Sequence, residues 1–332
     1  MLCIIDHTTD PYFNLAAEEY LLKNFKEGIF RLWRNKPSII VGCNQNSQAE
    51  INRDYVHTHN IPVVRRLSGG GAVFHDLGNV NYTFIDKQVI GETTADMFSK
   101  YTKPIILALN KLGVNSYLEG RNDLLIDGKK FSGNAICVHK GRVLQHGTLL
   151  FSASIEDLSA ALNTRPEKFQ GKSVKSNISR VTNISSHLPS DSNITPESFI
   201  DFLYQTITSN KTSTEEYKVY TYSPEDIKAI EKLRDKKYNT DKWNFGHSPK
   251  YSFTNKAKFE CGFFEIFMNI DSGIIKECRI MGDFFSIKPV SDIEQALIGV
   301  AHTIESLQQT LSQFNIKEYF GNISTEELIS IL

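Results

Sequence analysis

Val63-Val64-Arg65-Arg66-Leu67-Ser68-Gly69-Gly70-Gly71-Ala72-Val73-Phe74-His75-Asp76 joins two strand-like runs through a basic, glycine-rich turn. An apolar strand leads into two arginines, three glycines turn the chain, and a second apolar strand leaves. Glycines let a backbone approach an anion closely and turn its N–H groups inward. Arginine supplies a planar fork that suits phosphate or carboxylate. A tight turn flanked by two solvated arginines has the same pattern, and short glycine motifs match by chance often. Two nucleotide-binding loops are excluded. The G-x-x-x-x-G-K-[ST] pattern is absent, and so is G-x-G-x-x-G, which opens a helix where this chain continues as a strand.

Two further runs carry chemistry. In Gly120-Arg121-Asn122-Asp123-Leu124-Leu125-Ile126-Asp127-Gly128-Lys129-Lys130-Phe131-Ser132-Gly133-Asn134-Ala135, Asp127-Gly128 is favourable two-residue hairpin chemistry. That turn sets Ile126 opposite Lys129, Leu125 opposite Lys130 and Asp123 opposite Ser132. Alternation then puts Asp123, Lys130 and Ser132 on one face. A solvated outer face would carry the same residues. In Leu144-Gln145-His146-Gly147-Thr148-Leu149-Leu150, a Lys140-Gly141 turn sets His146 opposite Ala135 and Thr148 opposite Gly133. This register places His146 and Thr148 on the face away from Lys130, unless a bulge at Gly133 or a longer turn brings them round. His57 and His59 sit in a polar helical stretch where i,i+2 residues diverge, which reads as surface.

Working outward, strand-like and helix-like segments alternate. Strands are expected at 2–5, 29–33, 38–42, 61–65, 72–75, 80–85, 124–126, 129–138 and 142–151. Helices are expected at 12–26, 48–59, 93–112, 155–162, 196–209 and 224–236. Residues 165–196, rich in Ser, Asn and Lys, read as a long loop of the functional kind. Residues 237–253 read as a linker, followed by two strands (257–269 and 274–281) and three helices (291–300, 303–313, 325–331). This alternation reads as an α/β (α+β) fold class. The 332 residues suggest two domains, divided here as 1–245 and 254–332. The 37 Lys+Arg against 38 Asp+Glu give a formal charge of −1, which argues against a nucleic-acid coat or a polybasic membrane binder. Cys3, Cys43, Cys137, Cys261 and Cys278 form no C-x-x-C pair, which argues against a disulfide framework or a cysteine zinc site. The start of the chain lacks the pattern of a signal peptide, and no apolar stretch reaches the ~20 residues of a membrane span. The expectation is a soluble, cytoplasmic protein.

The Arg65–Asp76 run with Leu77-Gly78-Asn79 resembles the signature of the A-type lipoate–protein ligases. So do Gly120–Asp123 (GRND), Asp127–Ala135, Gln145–Leu150, Ser179-Arg180-Val181-Thr182-Asn183 and Trp243-Asn244-Phe245-Gly246, in the family's order along the chain. The resemblance implies a large α/β catalytic domain with mixed sheets, like those of biotin ligases and class II aminoacyl-tRNA synthetases, with a small α+β C-terminal accessory domain. It implies a two-step reaction in which lipoate and Mg-ATP give lipoyl-AMP and pyrophosphate, and a lysine of an acceptor protein then displaces AMP.

By the family's pattern Lys130 is the catalytic lysine, touching both the lipoate carboxyl and the α-phosphate. Arg66, Gly71, Ala72, Val73 and Phe74 match ATP-contacting positions, with Asp123 beside the adenylate or its metal. His75, Ser132, His146 and Thr148 are implied to bind lipoate, and Arg180 to close over the adenylate. The implied cofactors are ATP and Mg2+. The implied partners are apo lipoyl domains of 2-oxoacid dehydrogenase acyltransferase subunits and/or the glycine-cleavage H protein, met by a monomer, with lipoate or octanoate as the acid. Two rivals share the fold. One is an ATP-independent lipoyl/octanoyl transferase, which needs a cysteine nucleophile. The other is a binding protein for lipoate or nucleotide without turnover.

Overall fold

In the computed structural model, which describes residues 1–162, 181–209, 216–245, 253–271 and 273–332, both expected two-residue turns form. Asp127 and Gly128 have φ of 50° and 73°, and Lys140 and Gly141 have 47° and 74°. Paired positive φ values give the turn whose twist matches that of the flanking strands. Asp10 caps the first helix, α1 (Pro11–Asn24), through the Tyr12 N–H, with Pro11 in its first turn, a combination that satisfies one orphan donor and removes another.

The strands are β1 (Leu2–Ile5), β2 (Ile29–Trp33), β3 (Ser38–Val41), β4 (Val63–Arg65), β5 (Val73–His75), β6 (Asn79–Lys87), β7 (Ser116–Glu119), β8 (Asp123–Ile126), β9 (Lys129–His139), β10 (Arg142–Leu150), β11 (Lys218–Val219), β12 (Phe253–Phe259), β13 (Gly262–Asp271) and β14 (Ile274–Gly282). An eight-stranded sheet runs β11-β1-β2-β6-β10-β9-β8-β7. Its β11-β1-β2 edge is parallel and the rest is antiparallel. A three-stranded sheet, β4-β3-β5, lies across from it and carries the glycine-rich loop between β4 and β5. The sheets are mixed, as expected. The expected helix over 48–59 is two short helices, Ser47–Glu50 and Arg53–Thr58.

Alternation gives the large sheet two different faces. Tyr82 and Phe84 of β6, with Phe30 and Leu32 of β2, join one core with Phe98, Tyr101, Phe199 and Leu203 from the helices Thr94–Lys111 and Pro196–Thr208. The opposite face carries a polar row, in which Arg31 pairs with Thr83 and Thr83 with His146. Beside it, Trp33 pairs with Asn81 and Asn81 with Thr148. Helix α1 covers part of this face with Asn14, Leu15, Glu18 and Glu19, all buried.

Residues from 253 onward form their own core around Phe264, Phe284 and Phe320. The sheet here is β12-β13-β14. The expected strand over 257–269 is two strands, because the chain turns at Gly262 (φ 142°), where a side chain would meet the Asp283 carboxylate 2.8 Å away. This unit docks on the glycine-rich loop. Gly282 N–H donates to the Asn44 carbonyl (2.9 Å), and Gly70 N–H to the Phe284 carbonyl (3.4 Å). Phe285 enters the core of the large sheet, edge-on to Phe98 at 5.3 Å, with the Arg121 guanidinium 4.5 Å from its ring centre. Among the described residues no helix is long and apolar enough to cross a membrane.

Phe285→Ala removes an aromatic shared by both units, and truncations of this kind cost about 3 kcal/mol. Hydrogen exchange is expected to rise at 282–286 and at Gly69–Gly71 together. Protection unchanged at the loop would show that the docking does not support it.

Candidate active site

The arginines that precede the glycines build the loop from inside. Arg65 is fully buried. Its Nη1 donates to the carbonyls of Gly42 (2.8 Å), Cys43 (3.0 Å) and Gln45 (2.7 Å), and its Nε to that of Trp243 (3.0 Å). Arg66 sends Nη2 to the carbonyls of Gly69 (2.7 Å) and Gly71 (2.8 Å), Nη1 to Ile40 (3.2 Å) and Nε to Ser68 Oγ (3.0 Å). Across a planar trans peptide the C=O and the next N–H point opposite ways, so the Gly71 carbonyl on Arg66 turns the Ala72 N–H outward. Glycine is required by close approach at two places. A Cβ on Gly42 would lie 2.1 Å from the Gly70 carbonyl, and one on Gly69 2.5 Å from that of Phe284. Burial pushes both guanidinium groups down to about 10, well above neutrality, so Arg66 puts a full positive charge under the loop.

A bulge brings the candidate site together on one face. Leu125 pairs with Lys130 as expected, but Leu124 pairs with Ser132 and Asp123 with Gly133. Phe131 is the extra residue. Phe131 and Ser132 both turn inward, fully buried, and alternation restarts one residue out of step. Lys130 therefore shares its face with Gly133, Ala135, His146 and Thr148, and all five line one cavity of about 610 Å3 including its open mouth. The Lys130 ammonium pairs with Asp123 at 2.8 Å, and a Cβ on Gly133 would lie 3.2 Å from it. The segment at Val181 pairs beside Lys130, with Thr182 N–H donating to the Lys130 carbonyl at 2.9 Å.

The cavity floor is a buried polar chain. His146 Nδ1 meets both Glu18 carboxylate oxygens at 3.0 Å, and its Nε2 meets Ser68 Oγ at 2.7 Å. Thr83 Oγ1 donates to Glu18 (2.6 Å) and accepts from Trp33 Nε1 (2.9 Å). Burial pushes the Glu18 carboxyl up, but His146, Arg31 and the Thr83 bond outweigh it and hold it below its ordinary value. The order Ser68-His146-Glu18 is that of a hydrolase triad. Ser68, however, is buried and already accepts from Arg66, so the chain fixes the His146 ring rather than presenting a nucleophile.

Of the expected site residues, Arg66, Gly71, Ala72, Val73, His75, Lys130, His146 and Thr148 line the cavity. Asp123 joins through Lys130. Phe74 turns into the cluster around Ile39 and Val41. The expected placement of Ser132 on the Lys130 face is corrected by the bulge, since its Oγ instead accepts from Asn134 at 3.3 Å. Arg180 lies outside the described residues. The expected opposition of His146 and Lys130 is also corrected, though the bulge is at Phe131 and not at Gly133. Sequence reasoning missed Glu18, Ser68, Trp33 and Asn81. A signal for Glu18 existed. It stands three residues after Leu15 and four before Leu22, on the apolar face of its helix. Cys137 and Cys43 are poor nucleophiles, because burial pushes the thiol of Cys137 up to about 12 and raises that of Cys43.

Residues 10–208 match the family model described as the lipoyl protein ligase A/B catalytic domain. Residues 248–332 match that of the bacterial lipoate protein ligase C-terminus. The chain is 43% identical over 329 residues to lipoate–protein ligase 1 of Staphylococcus aureus, covering 98% of each. A P. falciparum protein solved in complex with lipoate superposes with a TM-score of 0.80 at 27% identity, covering 99% of this chain and 98% of its own. The bi-partite lipoate protein ligase of Thermoplasma acidophilum, described with its E2 lipoyl domain, reaches 0.64 at 27% identity over 76% of this chain and 98% of its own. A lipoate–protein ligase A solved with ATP reaches 0.63 at 25% identity over 74% and 98%.

The site also sets a pH dependence. Burial, then Arg66 and His146, push His75 down to about 3. Between about pH 6.5 and that value the unfolded chain binds a proton here and the folded protein does not, so stability falls as pH falls. The slope for one such group is about 1.4 kcal/mol per pH unit. Urea midpoints measured from pH 7 to 5 are expected to fall less steeply in His75→Phe than in the parent chain. Equal slopes would show that His75 protonates in the folded protein.

Proposed function

Because this chain belongs to the lipoyl protein ligase A/B family, we propose that it is an ATP-dependent lipoate–protein ligase acting through lipoyl-AMP. The observation that carries this reading is the bulged strand, which sets the Lys130 ammonium beside a loop whose carbonyls are gripped by Arg66. Such a site stabilises negative charge more as it develops than before, which is what acceleration requires.

In the first step a lipoate carboxylate oxygen attacks the α-phosphorus of ATP. The bond to the bridging oxygen breaks and pyrophosphate leaves. Lys130 faces the charge gathering on the phosphoryl oxygens, Asp123 steadies the ammonium, and Arg66, Gly71, Ala72 and Val73 support the nucleotide. In the second step the unprotonated amine of an acceptor lysine attacks the activated carbonyl, AMP leaves, and the amine gives up a proton. The neighbour described with its E2 lipoyl domain supports lipoyl domains as acceptors, with 2-oxoacid dehydrogenase subunits and the glycine-cleavage H protein as the two classes. His75, His146 and Thr148 would bind lipoate. Among the described residues no group of three His, Cys, Asp or Glu side chains could hold a metal. A magnesium ion would therefore come with the nucleotide's phosphates, with Asp123 as the carboxylate at hand; when bound it would neutralise phosphate charge. We assign catalysis to residues 1–245 and an accessory role to 254–332, in a monomer acting in the cytoplasm.

Incubation with lipoate, Mg-ATP and an apo lipoyl domain is expected to give a lipoyl mass gain on the acceptor only when ATP is present. A gain from octanoyl thioester without ATP would select the transferase, and binding without pyrophosphate release would select the non-catalytic reading. Lys130→Ala is expected to lower pyrophosphate release by about 10²–10³-fold with an unchanged circular dichroism spectrum. Near-normal release would remove Lys130 from the reaction.

A further inference from the structure

We propose that His187 is a positioning residue for Lys130: its ring clasps Thr182 to Asp127 and so fixes the main chain from which the ammonium is aimed. This rests on the lipoate–protein ligase reading of the same site, and it names a residue that acts on the site from outside the cavity.

Lys130 sits where the large sheet runs out of strand on one side. On the β8 side it pairs with Leu125. On the other side β10 pairs with β9 only as far as Gly147 opposite Asn134. Beyond that point the segment at Val181 takes the place of β10, and the Thr182 N–H donates to the Lys130 carbonyl at 2.9 Å. A ladder bond at the end of a sheet opens at little cost. This one lies beside the bulge at Phe131, where alternation is already out of step. Loss of the bond frees Lys130 to turn.

The ring of His187 closes that gap. Its Nε2 meets Thr182 Oγ1 at 2.9 Å, and its Nδ1 meets Asp127 Oδ2 at 3.3 Å. Asp127 opens the tight turn (φ 50°) that leads into Lys130. The segment is therefore tied to the hairpin at two points, the turn and the Lys130 carbonyl. A carboxylate only accepts, so Nδ1 carries a proton. Nε2 accepts from the Thr182 hydroxyl when the ring is neutral and donates to it when the ring is charged. The bridge holds in both states.

The clasp has a rigid base. Ile184 is fully buried in the core of the large sheet. Asn183 bonds both backbone groups of Ala153 at 3.0 Å, and the Ser185 N–H donates to the Phe151 carbonyl at 3.0 Å. The single turn Ile184–His187 brings the ring back over Thr182. The Asp127 side chain is 78% exposed, and an ion pair of that kind adds little stability. Its effect is on direction rather than on folding. A misplacement of about 1 Å at a group acting in the transition state is enough to cost rate.

The test is steady-state pyrophosphate release with lipoate, Mg-ATP and an apo lipoyl domain, paired with amide hydrogen exchange. His187→Ala removes the ring. Asp127→Gly opens the clasp from the other side, and glycine keeps the turn. Each is expected to lower kcat on the order of tenfold with the KM for lipoate and ATP unchanged, because the supported contact acts in the transition state. The double variant is expected to be no slower than either single one, since both break one bridge. In a Lys130→Ala background neither is expected to slow release further. The Thr182 amide should exchange faster in both. Parental kcat in both variants, additive losses, equal losses with and without Lys130, or unchanged exchange at Thr182 would overturn the proposal. If His187→Ala does not fold, Asp127→Gly decides. Parental release from Lys130→Ala alone would instead overturn the ligase reading of Lys130, and the proposal with it.

Discussion

A buried guanidinium that grips carbonyls is the constraint on which the site depends. Arg66 holds the carbonyls of Gly69 and Gly71, and no side chain longer than hydrogen fits where the loop passes the Phe284 carbonyl. A positive charge taken out of water is expensive unless each donor is satisfied. Here the loop itself satisfies it, so loop shape and charge are coupled. Disturbing either changes both. Arg65 does the same for the neighbouring turn at Gly42–Gln45 and ties it to the helix Asp241–Phe245, where Asn244 Oδ1 also accepts from the Arg65 N–H at 3.0 Å.

The second constraint is the extra residue in β9. Without it Lys130 would share a face with Ser132 and Asn134, toward the helices and the buried network of Tyr82, Asn134 and Gln145. With it Lys130 turns to the side where Arg66, His146 and the glycine-rich loop converge. One unpaired residue thus decides whether the cation faces the cavity or the buried side of the sheet. The Glu18-His146-Ser68 chain then ties α1, β10 and the loop together.

Local chemistry was legible in the sequence, and long-range packing was not. Asp127-Gly128 and Lys140-Gly141 specify their turns within two residues, and the register from each turn follows by counting. The count fails after Lys130. A bulge is chosen by Phe131 and Ser132 both finding buried places, and by Val181 pairing alongside, about fifty residues away in sequence. The forks of Arg65 and Arg66 suit phosphate, and nothing local in the sequence marks them as carbonyl ligands. Their actual carbonyl partners include Trp243, about 180 residues on. Edge strands β7 and β11 were missed because four and two residues carry too little pattern. The loss of β12 into a single longer strand came from overlooking Gly262 as a turn. Glu18 was the polar residue in an apolar stripe, a conflict of the kind that marks functional positions.

On the proposed function, one acyl-adenylate fits between Lys130 and His75, under the glycine-rich loop. The most direct measurement is a crystal structure with a stable sulfamoyl analogue of lipoyl-adenylate. The sulfamate is expected within hydrogen-bond distance of Lys130 Nζ and the Ala72 N–H. The ring disulfide should lie against Trp33 and His75 Nε2. A tail running away from Trp33, or a sulfamate out of reach of Lys130, would contradict it.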